Sequence, residues 1–166
     1  MFNFNTCSAR FQAEETNANV TLSGKDLTIC DVVRVARFGA KVDLTADKET
    51  LQRVENAYDY IAAAVSAGKP VYGVTTGFGG MAHTVISPED AAELQENLIW
   101  FMKSEAGKRL AREDVRAAMV IRANTHLMGL SGLRFELIQR IAADIAQCGR
   151  IPEAVNDVLT NKRFLS

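Results

Sequence analysis

The sequence predicts a mainly α-helical fold with a few short strands. Segments near 88–104, 112–127 and 132–147 carry helical start and stop signals, and a glycine-rich loop at 71–86 precedes them. The chain has 166 residues, of which 48% are hydrophobic and 23% charged. Such a composition is typical of a folded domain with its own core rather than of a disordered chain.

The first elements mix strands and a helix. Residues 20–29 alternate around a central Ser-Gly pair, which predicts a short β-hairpin, and residues 41–44 alternate like a brief strand. Thr28 and the acid three residues later form a variant of the capping box. They predict a helix over about 29–38 that ends at Gly39.

A longer helix leads into the glycine-rich loop. Thr45 or Asp47 can cap this helix, and apolar residues recur at helical spacing as far as about Ala67. Gly68 and Pro70 then stop it.

The loop at 71–86 has four glycines in eight residues, a density that neither a helix nor a central strand tolerates. The loop is expected to follow a short strand at Val71-Tyr72. A tyrosine followed by flexible glycines suits a lid that closes over a substrate. No Gly-Lys-Ser/Thr follows and Gly-x-Gly-x-x-Gly is not matched, which argues against a phosphate-binding loop.

Three helices are expected after the loop. Residues 87–90 combine a serine cap, a proline in the first turn and two acids, and so predict the start of a helix over 88–104. A second helix is expected at 112–127. A glycine-containing break separates it from a third at 132–147, which Ser131 is placed to cap.

Charge and composition exclude several classes of function. The net charge is −1, from 19 basic and 20 acidic residues, so the chain offers no electrostatic footprint for nucleic acid or an anionic membrane. No stretch approaches the roughly 18 apolar residues that would span a bilayer. The start of the chain lacks the pattern of a secretory signal, so we expect a soluble cytoplasmic protein.

Neither a metal site nor a disulfide framework is expected. The three cysteines are widely spaced, odd in number and form no Cys-x-x-Cys pair. His83 and His126 are the only histidines, and neither has a Cys or Asp partner at ligand spacing.

Three motifs along the chain are more specific. They read YGVTTGFGG at 72–80, ELQENLIWFMKSEAG at 93–107 and VRAAMVIRANTHLMGLSGLRFELI at 115–138. In this order they resemble the tyrosine loop, the Leu-Gln-x-Asn-Leu helix and the Gly-x-Ser-Gly-x-Arg segment of the aromatic amino acid ammonia-lyase family, phenylalanine ammonia-lyases most of all. The resemblance implies the N-terminal segment of that family's all-helical fold.

The resemblance also implies a chemistry. Family members eliminate ammonia from an amino acid with a methylidene-imidazolone electrophile that forms from Ala-Ser-Gly, while a tyrosine of the lid loop removes the β-proton. By motif match this base is Tyr72, and Gly73, Phe78 and Gly79 belong to its lid. Because phenols have a pKa of about 10, a tyrosine base needs neighbours that poise it.

The second motif supplies the expected substrate pocket. Asn97 matches a polar position that lines the family's pocket, and Phe101 and Met102 match the pair that surrounds the substrate side chain. An apolar pair offers no hydrogen-bond partner to a phenol or imidazole and therefore favours phenylalanine. Four polar residues of the third motif are expected to be structural rather than catalytic: Arg116, Arg122, Asn124 and Arg134.

The chain departs from the family in two respects: it contains no Ala-Ser-Gly, and the long central helical bundle and C-terminal half of the family have no counterpart in these 166 residues. We divide it into a flexible arm at 1–19, a lyase N-terminal domain at 20–152 and a divergent tail at 153–166. No Ala-Ser-Gly occurs, so the electrophile-forming segment is absent and no bound cofactor is expected. We therefore expect negligible activity from this chain alone, and exposed apolar side chains on the helix at 88–104.

The resemblance implies an aromatic amino acid as the small-molecule partner, and a homo-oligomer or a complex with a full-length relative. One alternative is a non-enzymatic lyase-like subunit that binds or regulates such a relative. Another is a fragment of a tyrosine or histidine ammonia-lyase, or of an aminomutase that uses the same electrophile. The sequence downstream of residue 166 distinguishes a truncated enzyme from a separate subunit.

Overall fold

Helices dominate the architecture, as the sequence predicts. The computed structural model describes residues 19–102 and 110–147. The elements, in chain order, are β1 (Val20–Leu22), α1 (Ile29–Phe38), β2 (Val42–Leu44), α2 (Lys48–Ser66), a 3-10 turn (Gly79–Met81), α3 (Pro88–Met102), α4 (Arg112–His126) and α5 (Phe135–Gln147).

The two strands form a β–α–β unit, so the predicted hairpin over 20–29 is wrong. β1 pairs with β2 in parallel, with Val20 opposite Val42 and Leu22 opposite Leu44. Parallel strands need a crossover connection, and α1 supplies it. The Ser-Gly pair after β1 leads the chain towards α1 instead of turning it back, because Thr28 starts that helix.

Side-chain caps fix the starts of the first two helices. The Thr28 hydroxyl accepts from the Asp31 N–H at 3.2 Å, and the Asp31 carboxylate accepts from the Thr28 N–H at 3.1 Å, which confirms the capping box. α1 ends at Gly39, whose φ of 74° is left-handed. Of the two candidate caps for α2, Asp47 caps the helix by accepting from the Thr50 N–H at 2.9 Å.

Two sequence predictions fail around later elements. α5 begins at Phe135, three residues after the predicted start, because the Ser131 hydroxyl is paired with His126 in the preceding connection and does not cap the helix. Val71 and Tyr72 form no strand and enter a turn, in which the Val71 carbonyl accepts from the next loop residues.

The core lies around α4, which packs against both α1 and α5. α5 also contacts β2, so the small sheet and the helices share one apolar interior. The buried cluster consists of Val20, Leu22, Val35, Ala40, Val54, Val120, Ala123, Leu127, Ile138 and Ile145. Among the described residues, this cluster includes none from α3 or the glycine-rich loop, so both lie outside the main core.

Of the four apolar side chains of α3 expected to be exposed, Leu94, Leu98, Ile99 and Met102, only Met102 is exposed. Phe101 is 76% exposed and Met102 is 57% exposed near the end of the described helix. Leu94, Leu98 and Ile99 are half-buried. The exposed apolar surface is therefore concentrated in the last turn of the described helix.

Some predictions fall outside the described residues. Apart from Asn19, the arm at 1–19 and the tail at 153–166 lie there. Within the described segments, no helix combines the length and apolarity needed to cross a membrane.

Cys30 in the first turn of α1 is disulfide-bonded, which the spacing of the cysteines did not predict.

Candidate active site

Two buried threonines anchor the glycine-rich loop. The Thr75 hydroxyl accepts from the Val71 N–H at 2.8 Å and donates to the Lys69 carbonyl at 3.0 Å. The Thr76 hydroxyl accepts from the Gly73 N–H at 3.2 Å. An isolated antiparallel bridge between residues 76 and 85 closes the base of the loop. The loop is thus a folded unit with internal bonds rather than a loose connection.

The Tyr72 ring points into solvent from the anchored part of the loop. The Tyr72 side chain is 66% exposed, and its ring forms a T-shaped pair with the Phe78 ring, with the centroids 6.5 Å apart. The phenol oxygen accepts a hydrogen bond from the Gly79 N–H at 3.3 Å. Since the oxygen is the acceptor there, the hydroxyl proton stays free for another acceptor. The predicted base Tyr72 therefore lies beside the three predicted lid residues, Gly73, Phe78 and Gly79.

Gln95 joins the loop to α3, and the sequence did not single it out. Its side-chain amide donates to the Gly73 carbonyl at 2.5 Å. The residue belongs to the Leu-Gln-x-Asn-Leu string, which is the signal that marks this helix. Sequence spacing alone does not reveal that a side chain 22 positions away reaches the loop.

The other predicted residues of α3 divide between two sides of the helix. At about 100° per residue, Met102 lies seven positions after Gln95 and so on the same side of the helix. Asn97 is about 200° from Gln95, and Phe101 is one turn beyond Asn97. Asn97 and Phe101 are exposed. The structure therefore groups Met102 with the lid side of α3 and places Asn97 and Phe101 elsewhere.

Polar residues of the third motif hold elements of the core together. Arg116 is buried, and its Nε and Nη2 donate to the Val35 carbonyl at 2.9 and 2.8 Å, which ties α4 to α1. Asn124 accepts from a backbone N–H of the turn after β1 at 3.0 Å. The Arg134 guanidinium lies 5.7 Å from the centre of the Tyr58 ring. These contacts fit the expected structural role for Arg116, Asn124 and Arg134, whereas Arg122 is exposed.

The two histidines occupy different surroundings. His83 is exposed, whereas His126 is buried and its Nδ1 lies 3.0 Å from the Ser131 hydroxyl. Burial lowers the pKa of His126 below its usual value, and the positive charge of Arg122 lowers it further. Within 19–102 and 110–147, no group of three or more His, Cys, Asp or Glu is arranged to hold a metal ion.

The described residues do not supply the electrophile that the resemblance implies. The Ser131-Gly132 pair follows leucine, and its serine is engaged with His126. Gly132 has a φ of 62°, and a Cβ there would overlap Cγ1 of Ile61. The pair is a turn packed against α2, and the other Ser-Gly pair, at residues 23–24, also follows leucine.

Comparison with known proteins decides the family. Residues 27–149, about three quarters of the chain, match the sequence model of the family described as Aromatic amino acid lyase. This chain belongs to the aromatic amino acid lyase family. Among curated lyases, it is 58% identical over 122 residues to a phenylalanine ammonia-lyase of Nostoc punctiforme, and 41% identical over 122 residues to a histidine ammonia-lyase of Streptococcus sanguinis.

Solved structures agree with this assignment. The chain superposes on a tyrosine aminomutase from Streptomyces globisporus with a TM-score of 0.72 at 30% identity, covering 78% of this chain and 24% of that one. The two curated lyases are matched over 74% of this chain but only 21% and 23% of their own length. The chain thus spans about a fifth to a quarter of the lyases and the aminomutase that it matches.

Proposed function

We propose that this chain supplies the lid and the base of an ammonia-lyase that converts L-phenylalanine to trans-cinnamate and ammonia. The proposal rests chiefly on Tyr72, an exposed phenol on an anchored glycine-rich loop in the position of the family's base. A tyrosine whose side chain faces solvent can reach a substrate while the backbone of its loop remains held.

In this proposal Tyr72 takes the proton from the β-carbon of the substrate. The C–H electrons form the α,β double bond, the C–N bond breaks, and its electron pair leaves with the nitrogen. The 166 residues contain no Ala-Ser-Gly, so they do not form an electrophile that would assist departure of the amine. The β-proton of an amino acid is weakly acidic, and we expect no turnover from this chain alone.

Phenylalanine is the proposed substrate because of the apolar pair on α3. Phe101 and Met102 present hydrocarbon and thioether surface, which packs against a benzene ring without leaving polar groups unpaired. A phenol or imidazole buried against the same pair would lose its hydrogen bonds to water. Asn97 is the proposed polar contact to the amino acid by motif match alone, because it lies on the side of α3 away from the lid.

Assembly and location are further parts of the proposal. The exposed end of α3 favours a homo-oligomer or a complex with a full-length relative, because Met102 is apolar and faces solvent. The cytoplasm is the proposed location on the basis of composition, and the disulfide at Cys30 is the observation that argues against it. Thiol labelling of Cys30 in fresh cell extracts tests it, since a disulfide there would indicate an oxidising compartment.

A chimera tests the proposed reaction. In this chimera the matched 122 residues of this chain replace their counterparts in the Nostoc punctiforme phenylalanine ammonia-lyase. We expect ultraviolet absorbance to report cinnamate release from phenylalanine, and much slower turnover of tyrosine and histidine. A folded chimera that ignores phenylalanine but deaminates histidine would contradict the substrate assignment.

Two other functions have specific support. Similarity to a tyrosine aminomutase favours an aminomutase, which would return a β-amino acid where a lyase gives cinnamate. Chromatography of the chimera's products separates the two. The exposed apolar end of α3 favours a non-enzymatic subunit, for which binding to a full-length lyase without change in its product is the expected result.

A further inference from the structure

The backbone next to the proposed base is held on both sides. Gly73 has a φ of 70°, a conformation open mainly to glycine, and it directly follows Tyr72. Its N–H is bonded to the Thr76 hydroxyl at 3.2 Å, and its carbonyl accepts from Gln95 at 2.5 Å. The residue with the greatest freedom beside the tyrosine therefore has both of its peptide groups engaged.

The two bonds differ in origin. The contact with Thr76 lies within the loop and moves with it, whereas Gln95 belongs to α3, outside the loop. Gln95 is half-buried, so water competes less for its hydrogen bond to Gly73 than it would at an exposed site. Gln95 therefore joins the loop, and Tyr72 with it, to the helix that carries the proposed substrate-pocket residues.

We propose that Gln95 is a positioning residue: its amide clamps Gly73 against α3 and so sets the orientation of Tyr72. This inference rests on the proposed function, because the direction of the phenol matters for removal of a β-proton. The clamp gives the Leu-Gln-x-Asn-Leu string a second role, distinct from that of Asn97, which faces the other side of the helix.

The test uses fluorine NMR of the 166-residue chain labelled with 3-fluorotyrosine. The chain has three tyrosines, of which Tyr58 and Tyr60 lie on α2 and serve as internal controls. Tyr72→Phe assigns the third resonance. Gln95→Glu keeps the size of the side chain but replaces the amide donor with a carboxylate, and Asn97→Asp makes the same chemical change on the opposite side of α3.

We expect Gln95→Glu to move the Tyr72 resonance towards that of an unstructured fluorotyrosine and to leave the two α2 resonances in place. The loop amides of Gly77 and Ile86, which bond to other loop carbonyls, should exchange about fivefold to tenfold faster with deuterium. Asn97→Asp should change neither reading.

An unmoved Tyr72 resonance in a folded Gln95→Glu chain, or an equal shift in Asn97→Asp, overturns the proposal. If Gln95→Glu unfolds the chain, the α2 resonances move as well, and Gln95→Met then removes the donor without adding a charge. The same criteria apply to that variant. Neither reading needs catalysis, so failure of the chimera to release cinnamate would count against the proposed function and not against the clamp.

Discussion

The lid loop at 71–86 and the connection between α4 and α5 at 127–134 both contain glycines with a left-handed backbone, but the two regions differ in how closely their glycines are packed. At Gly132 a Cβ would overlap Ile61 of α2, so glycine there lets two backbones pack closely. At Gly80 a Cβ would meet nothing within 4 Å. Both glycines of the connection, Gly129 and Gly132, thus allow close packing. In the lid loop Gly79 and Gly80 have open space around them, whereas a Cβ at Gly77 would lie 2.7 Å from the Met81 carbonyl oxygen.

Polar side chains follow the same division. In the connection, Ser131 and His126 bond to each other at the buried end of α4. In the lid, the Tyr72 oxygen bonds to a backbone N–H while most of the side chain faces solvent. Substitutions in the connection should therefore lower stability, and substitutions of the lid tyrosine should lower activity while the fold persists.

The largest effect is expected from Tyr72→Phe. In the chimera it should lower kcat for cinnamate release about 100- to 10,000-fold, because a phenylalanine ring cannot accept a proton. In the 166-residue chain it should change the free energy of unfolding by only about 0.5 kcal/mol, because the side chain is exposed. Activity within twofold of the parent chimera would rule out Tyr72 as the base.

The next effect is expected from Gly132→Ala, which should lower the free energy of unfolding by about 3 kcal/mol through overlap with Ile61 and a left-handed backbone. Gly80→Ala is the matched control in the lid and should change it by no more than about 0.5 kcal/mol. Urea denaturation measures both. Equal losses would remove the distinction between the two regions.

Local sequence signals predict the bounds of the first helices but not the pairing of the strands. Caps and stops are local, so the bounds of α1 and the cap of α2 follow from Thr28, Gly39 and Asp47. Pairing of β1 with β2 depends on strands separated by a helix, and the alternation around the Ser-Gly turn favoured a hairpin instead.

The candidate site also has features that local sequence predicts and features that depend on tertiary packing. The motif predicts Tyr72 as the base and the residues around it as a lid, because glycine density and a family pattern lie within nine residues of chain. The contact between Gln95 and Gly73 spans 22 positions and depends on how α3 packs beside the loop. Side-chain exposure at Phe101 likewise follows from the tertiary arrangement, which helical periodicity does not specify.

Arg116→Met should have an intermediate effect. Arg116 donates two hydrogen bonds to the Val35 carbonyl, and their loss should lower the free energy of unfolding by about 2 kcal/mol. Arg112→Met, at an exposed position of the same helix, is the control and should have little effect. Thermal or urea unfolding that shows the same loss for both variants would argue against this tie between α1 and α4.

The smallest effect is expected from pH. The pKa of His126 is lowered in the folded chain by burial and by Arg122, so below about pH 6.5 the unfolded chain binds a proton that the folded chain does not. The free energy of unfolding should therefore fall as pH drops from 7 to 5, by at most about 1.4 kcal/mol per pH unit. His126→Gln should flatten this slope, and an unchanged slope in that variant would contradict the assignment.

Cinnamate release from phenylalanine tests the central claim most directly. It is measured in parallel for the 166-residue chain, the chimera with the Nostoc punctiforme enzyme and the chimera that carries Tyr72→Phe. We predict release by the unmodified chimera alone. Release by the isolated chain would contradict the need for an electrophile from outside these 166 residues. Equal release by the Tyr72→Phe chimera would contradict the assignment of Tyr72 as the base.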